Sequence, residues 1–231
     1  NTTGLTNVAI GLTALNDNTE GGNNIAIGCA AMLDNSTGGD NVAIGVATLS
    51  NNTTAANNTA VGSYSMIKNT TGHSNLAAGT NSAACNTTGD ENVAIGSISM
   101  LEHTTGVRNT CVGKGTMSQT NADANSLSSA DNVFVGADSG QGNTTGYHNV
   151  YVGQEAAINS TIAYQNVAIG KGALQTNITA VDNVAVGFKA LYTLEAATGD
   201  VSAAFRNTAV GKTAGHNLTT GNSNTFIGGA A

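Results

Sequence analysis

Apolar residues recur along this chain in short alternating runs, and an asparagine introduces every run. Asn7 opens the stretch Asn-Val-Ala-Ile-Gly. The same five residues return at Asn41, Asn92 and Asn166, and variants such as NIAIG at Asn24, NVFVG at Asn132, NVYVG at Asn149 and NTFIG at Asn224 fill the intervals. A three-residue apolar run closed by glycine is too short for a helix and predicts a short strand. The leading asparagine falls at 7, 24, 41, 58, 75, 92 and 109, and each step equals the first, 24 − 7 = 17. It continues at 132, 149, 166, 183, 207 and 224, with steps of 23, 17, 17, 17, 24 and 17. The chain is therefore thirteen copies of a 17-residue unit, two of them enlarged, by 23 − 17 = 6 and 24 − 17 = 7.

A unit this short cannot hold the paired helices of helical repeats, which need about 33 residues. It predicts one coil of a solenoid, with successive coils stacked about 4.8 Å apart as neighbouring strands. The expected fold is all-β: a parallel β-solenoid, or β-roll, of thirteen 17-residue coils with two corner insertions. It forms a single repeat domain over residues 1–231, and twelve steps at strand spacing give a rod of about 58 Å.

Each column of the repeat can be read in turn. The first and third residues of the strand are Val, Ile, Leu or Thr in nearly every coil, with Ala78 the exception at the third place. They share one strand face, which is expected to point into the coil. The residue between them points the other way. It is Ala9, Ala26, Ala43, Ala60, Ala94, Phe134, Tyr151, Ala168, Ala185 and Phe226 in ten of the coils. Strands apolar on both faces are buried on both, so these residues are expected to form an association face against another chain. A second short strand is expected after the glycine, with a small residue (Ala14, Ala31, Thr48, Ser65) followed by a coil-filling Leu or Met such as Leu15, Met32, Leu49, Met66, Met100, Met117, Leu174 and Leu191. The Met residues read as gap fillers of a narrow core. A corner follows, NTTG at Asn1, Asn69, Asn86 and Asn143 and NSTG at Asn35. Its glycine marks a left-handed backbone or a close approach.

The constancy of the leading asparagine has a physical reading. A side-chain amide carries both donor and acceptor, so copies stacked at strand spacing bond one another along the solenoid. The predicted structural ladder is Asn7, Asn24, Asn41, Asn58, Asn75, Asn92, Asn109, Asn132, Asn149, Asn166, Asn183, Asn207 and Asn224.

Composition narrows the function classes. Only 9% of residues are charged and 4% aromatic, so large packed cores are ruled out. A net charge of −7 leaves no basic stripe for nucleic acid and no polybasic membrane anchor. No apolar run reaches the length of a membrane span and no signal peptide opens the chain. Cys29, Cys85 and Cys111 have no metal or disulfide spacing and read as small buried or half-buried substitutes for Ala or Ser. His73, His103, His148 and His216 have no carboxylate or thiol partner at motif spacing, and GxSxG, HExxH and P-loop signatures are absent. The expectation is a non-enzymatic protein with no catalytic residues, cofactor or metal. Asn-x-Ser/Thr sequons are abundant, at Asn1, Asn35, Asn51, Asn52, Asn57, Asn69, Asn86, Asn143, Asn159, Asn177 and Asn217. The corner grammar generates most of them without any need for glycans.

The NVAIG phrase, followed by Ala and a Leu or Met and then a TTG corner, resembles the head repeats of trimeric autotransporter adhesins and the repeats of phage tail fibres. The resemblance covers the whole chain, although the adhesin heads use a shorter coil. It implies a homotrimer, with a longitudinal polymer as the second possibility, in an extracellular, cell-surface or virion fibre concerned with attachment to a cell-surface glycan or receptor. It implies neither nucleic-acid binding nor membrane insertion. A self-assembling filament stacked end to end is the alternative. An ice-binding solenoid is a distant third, because Thr pairs such as Thr70 and Thr71 are adjacent rather than alternating. The insertions, within residues 118–131 and 192–206, are the places where a solenoid can add a recognition surface. They are expected to protrude on one side.

Overall fold

The computed structural model describes residues 2–119, 129–194 and 204–231. The two inserted stretches fall largely outside these, and so does their expected protrusion. The chain gathers into two compact units. The first, within residues 2–109, holds β1 (Val8–Ile10), β2 (Ile25–Ile27), β3 (Val42–Ile44), β4 (Thr59–Val61), β5 (Leu76–Ala78) and β6 (Val93–Ile95). The second, within residues 110–119 and 129–231, holds β7 (Thr110–Val112), β8 (Val133–Val135), β9 (Val150–Val152), β10 (Val167–Ile169), β11 (Val184–Val186), β12 (Thr208–Val210) and β13 (Thr225–Ile227).

In both units each strand pairs parallel with the next in chain order, and equivalent residues face each other. Ala26 opposes Ala43, Ala43 opposes Ala60, Phe134 opposes Tyr151 and Ala168 opposes Ala185. The architecture is a parallel β-solenoid with one coil per repeat, as the period predicts. Among the described residues no helix is long and apolar enough to cross a membrane.

The strand faces are the reverse of the expectation. Ala26, Ala43, Ala60, Phe134, Tyr151, Ala168 and Ala185 are fully buried by their own chain, and Ala94 is 1% exposed. They line the coil interior and form no association face. Of the set, only Ala9 is exposed and Phe226 half-buried. The outward residues are the Val and Ile, with Ile44 38% exposed and Ile169 40%. The cause is volume. The coil is too narrow for two branched side chains per strand, so it admits the single middle residue, usually Ala, and closes over it with one Leu or Met.

That Leu or Met is not in a strand. The residues after each Gly form consecutive turns in which the sixth and eighth residues after the leading asparagine are left-handed: Ala30 and Met32 have φ of 55° and 50°, Ala47 and Leu49 of 51° and 50°. Among the described residues the expected second strand is absent, and turn-to-turn bonds between coils replace it, as in Met32 N to Thr48 O and Leu49 N to Ser65 O, both 3.0 Å. A left-handed L-residue costs about 1–2 kcal/mol. Burying Leu or Met contributes about 1.5–3 kcal/mol, enough to hold the turn. Met32, Met66 and Met117 are fully buried, as gap fillers should be.

Core volume is balanced within the two aromatic coils opened by Asn132 and Asn149. Where the strand offers Phe134, the filler column holds Gly140, at which a Cβ would lie 2.5 Å from a Phe134 ring carbon. Where the strand offers Tyr151, the filler is Ala157. The two rings stack at 4.6 Å with 6° between their planes. In the Tyr151 coil Ser160 also stands at the corner place that Asn143 and Asn177 fill in the coils either side, and its Oγ lies 2.9 Å from the Tyr151 hydroxyl.

Candidate functional site

The repeated chemistry of the chain is carried by asparagine columns, and there are two. In the first, the backbone N–H of each leading asparagine donates to Oδ1 of the one before it. Asn24 reaches Asn7 at 2.8 Å, Asn58 reaches Asn41 at 2.9 Å and Asn166 reaches Asn149 at 3.0 Å. The side-chain amide often joins in, as in Asn41 Nδ2 to Asn24 Oδ1 at 3.1 Å. The ladder thus runs as expected, with more backbone in it than a pure amide-to-amide stack. It holds through the first unit from Asn7 to Asn109 and through the second from Asn132 to Asn224.

The second column was visible in the sequence only as the NTTG corner. Asn35 Nδ2 donates to Asn18 Oδ1 at 2.6 Å, Asn52 to Asn35 at 2.7 Å, Asn69 to Asn52 at 3.1 Å and Asn86 to Asn69 at 2.8 Å. The two columns share an acceptor. Asn24 and Asn35 both donate to Gly38 O, at 2.8 and 3.0 Å. Asn58 and Asn69 both donate to Gly72 O, at 2.9 Å each. One backbone carbonyl per coil therefore ties the first corner to the last. The signal that could have revealed this column is the regular recurrence, one repeat apart, of Asn18, Asn35, Asn52, Asn69 and Asn86, which continues as buried His103 in the next coil.

At Gly21, Gly38, Gly72 and Gly89 the corner glycine is a close approach, not a left-handed residue. A Cβ at Gly38 would lie 2.3 Å from Ala55 O. The glycine ending a strand has positive φ and, where another coil follows, is crowded as well: Gly45 has φ of 140°, and its Cβ would meet the Gly62 carbonyl at 2.7 Å.

Titratable side chains gather into pairs one coil apart. His73 Nε2 lies 3.4 Å from Asp90 Oδ2, and His148 Nε2 lies 3.6 Å from Asp131 Oδ2. This corrects the expectation that these histidines lack carboxylate partners. The spacing in each pair is one repeat, 90 − 73 = 17 and 148 − 131 = 17. Ser74 Oγ sits 3.4 Å from His73 Nδ1, longer than a nucleophile–base hydrogen bond. The His73 side chain is 54% exposed, and ion pairs in water contribute little.

The cysteines differ from one another. Cys111 is fully buried in the strand column, 3.2 Å from Met117 Sδ, and burial holds its thiol well above the usual range. Cys85 is half-buried, and its thiol is raised by burial and then by the negative Glu102. Cys29 is exposed, so the reading of all three as buried or half-buried fails there. Among the described residues no group of three or more His, Cys, Asp or Glu is placed to hold a metal ion.

The remaining surface feature is the outward face of the strands. In the first unit it presents Ile25, Ile44, Val61 and Ile95, and in the second Val133, Val135, Ile169 and Val210, each 36–40% exposed. In none of the thirteen coils does the first or third strand place hold a charged residue. No known family model matches the chain, and no characterised protein or solved structure is detectably similar to it.

Proposed function

We propose that this chain is a structural fibre segment of an extracellular, cell-surface or virion attachment protein, non-enzymatic, and that it works as a homo-oligomer. The observation that carries the reading is the uncharged Val and Ile face. The chain has 14 acidic and 7 basic residues, so two copies carry net charge of the same sign. The rows along the strands are where they can approach without opposing like charges, and covering them removes apolar area from water. The adhesin-like and tail-fibre-like phrasing of the repeat favours a trimer. A longitudinal polymer is the second reading. Attachment would be to a cell-surface glycan or receptor.

Light scattering on the purified chain tests the assembly. A trimer has three times the 22.8 kDa mass of the single chain. A steady 22.8 kDa monomer at micromolar concentration would remove the argument, and indefinite rods in electron micrographs would favour the polymer.

A further inference from the structure

The corner column writes Asn-x-Thr sequons at Asn35, Asn52, Asn69, Asn86, Asn143 and Asn177, and it buries every one of those asparagines to 3% exposure or less. Asn51, Asn57, Asn159 and Asn217 also head sequons, and all four are exposed. The fold thus sorts its sequons into two sets that the sequence alone does not separate.

Transfer of a glycan from a lipid-diphosphate oligosaccharide forms a bond from the amide nitrogen to the anomeric carbon of the first sugar. The bond from that carbon to the diphosphate oxygen breaks, the lipid diphosphate leaves, and an amide proton is released. The nitrogen keeps a single N–H. From Asn35 to Asn86 both hydrogens of each corner amide are in use. Asn52 Nδ2 donates to Asn35 Oδ1 at 2.7 Å and to Ala55 O at 3.1 Å, and Asn69 Nδ2 donates to Asn52 Oδ1 at 3.1 Å and to Gly72 O at 2.9 Å. There is no room either. A single carbon added at Gly38 would lie 2.6 Å from Asn35 Oδ1 and 2.7 Å from Asn52 Nδ2, and a sugar is many times larger.

We propose that N-linked glycosylation of the corner asparagines and closure of the coils are mutually exclusive, and that this chain folds where its corner sequons meet no oligosaccharide transfer. The Thr that completes each sequon supports the second half. Thr37, Thr54, Thr71, Thr88 and Thr145 are exposed, and Glu20 and Ile162 occupy the same column in other coils. Removing any of these five sequons would therefore cost the fold almost nothing, yet all five stand; the sixth is completed by Thr179, which is buried. A chain exposed to the transferase would have had a cheap escape at five corners. This inference is independent of the fibre reading, because it rests on burial and hydrogen bonds within one chain.

The test is secretion of the chain from a eukaryotic cell behind a cleavable leader, with and without tunicamycin, with glycopeptides mapped in protease-resistant and protease-sensitive fractions. A variant with Thr37, Thr54, Thr71, Thr88 and Thr145 changed to Ala and Thr179 to Val keeps every corner Asn and deletes those six sequons. Corner glycans are expected only in the protease-sensitive fraction. Tunicamycin or the variant should raise the resistant fraction severalfold, with any glycans on the variant confined to its remaining sequons at Asn1, Asn51, Asn57, Asn159 and Asn217. Protease-resistant molecules carrying a glycan at Asn52 or Asn69 would overturn the proposal. If the variant made in the bacterial cytosol melts below the wild type, the tunicamycin arm carries the test alone.

Discussion

Asn41 and Asn52 donate to one acceptor, the carbonyl oxygen of Ala55, at 2.9 and 3.1 Å. They stand in one coil but belong to different columns, so one oxygen joins the leading ladder to the corner ladder. Asn41→Ala and Asn52→Ala should each cost about 1–3 kcal/mol, because each leaves buried partners unmatched. The double variant should cost more than the sum, by about 0.5 kcal/mol or more, since only then does the Ala55 carbonyl lose both side-chain donors. Urea denaturation of the four proteins measures this. Strict additivity would show that the shared carbonyl couples nothing.

Gly45→Ala should destabilise by about 3 kcal/mol or more. It forces a side chain into a backbone region open to glycine and drives a Cβ against the Gly62 carbonyl at 2.7 Å. A thermal midpoint indistinguishable from wild type would contradict the geometry.

The core swap can be made by hand. Phe134→Ala should cost about 3–5 kcal/mol, and Gly140→Met alone should also destabilise, because its first carbon overlaps the Phe134 ring. Together they recreate the Ala26 and Met32 coil, so the pair should be more stable than either single variant. About 0.5–1.5 kcal/mol should stay missing for the lost stack on Tyr151. Denaturation midpoints of the three variants decide it.

Ala43 and Ile44 are neighbours with opposite fates, 0% and 38% exposed. Ala43→Asp should prevent folding, since it places an unpaired charge inside the coil. Ile44→Asp should leave the circular dichroism spectrum unchanged and lower the oligomer mass. An unfolded Ile44→Asp chain would restore the opposite face assignment.

Thiol labelling should follow Cys29, then Cys85, then Cys111. The reactive species is the thiolate. The Cys85 pKa is raised by burial and by Glu102, so its labelling at pH 8 should lag behind an ordinary thiol and accelerate as pH rises beyond the usual range. Cys111 should react only in denaturant. Equal rates for Cys29 and Cys111 in native buffer would contradict the buried strand column.

The period was legible because Asn7 and its copies are never replaced, and a constant 17-residue step leaves few architectures. The faces were not, because Ala43 and Ile44 are both apolar and alternation cannot say which turns inward; the space inside one coil decides, and that is a three-dimensional quantity. The second strand failed for a related reason. Small-then-large, as in Ala31 and Met32, suits a strand and a left-handed turn equally, and Leu or Met is seldom expected at positive φ. The corner ladder hid behind a familiar turn phrase, interrupted by His103 and Ser160. The pairing of His73 with Asp90 needed only the addition of one period.

Near-identical coils create an addressing problem. When every unit carries the same donors and acceptors, a coil can bond a wrong neighbour almost as well as the right one, and a chain slipped by one whole repeat satisfies nearly all its ladders. Tyr151 removes that freedom where it stands. Its hydroxyl needs Ser160, its ring needs the small Ala157, and Phe134 must arrive on the adjacent strand to stack. A coil slipped by one repeat would keep Ala157 and Ser160, which belong to its own unit, but would lose the Phe134 ring and set Tyr151 beside an Ala of another strand. The aromatic coils therefore act as a landmark from which the count of the rest can begin, and folding that starts there has one register to extend.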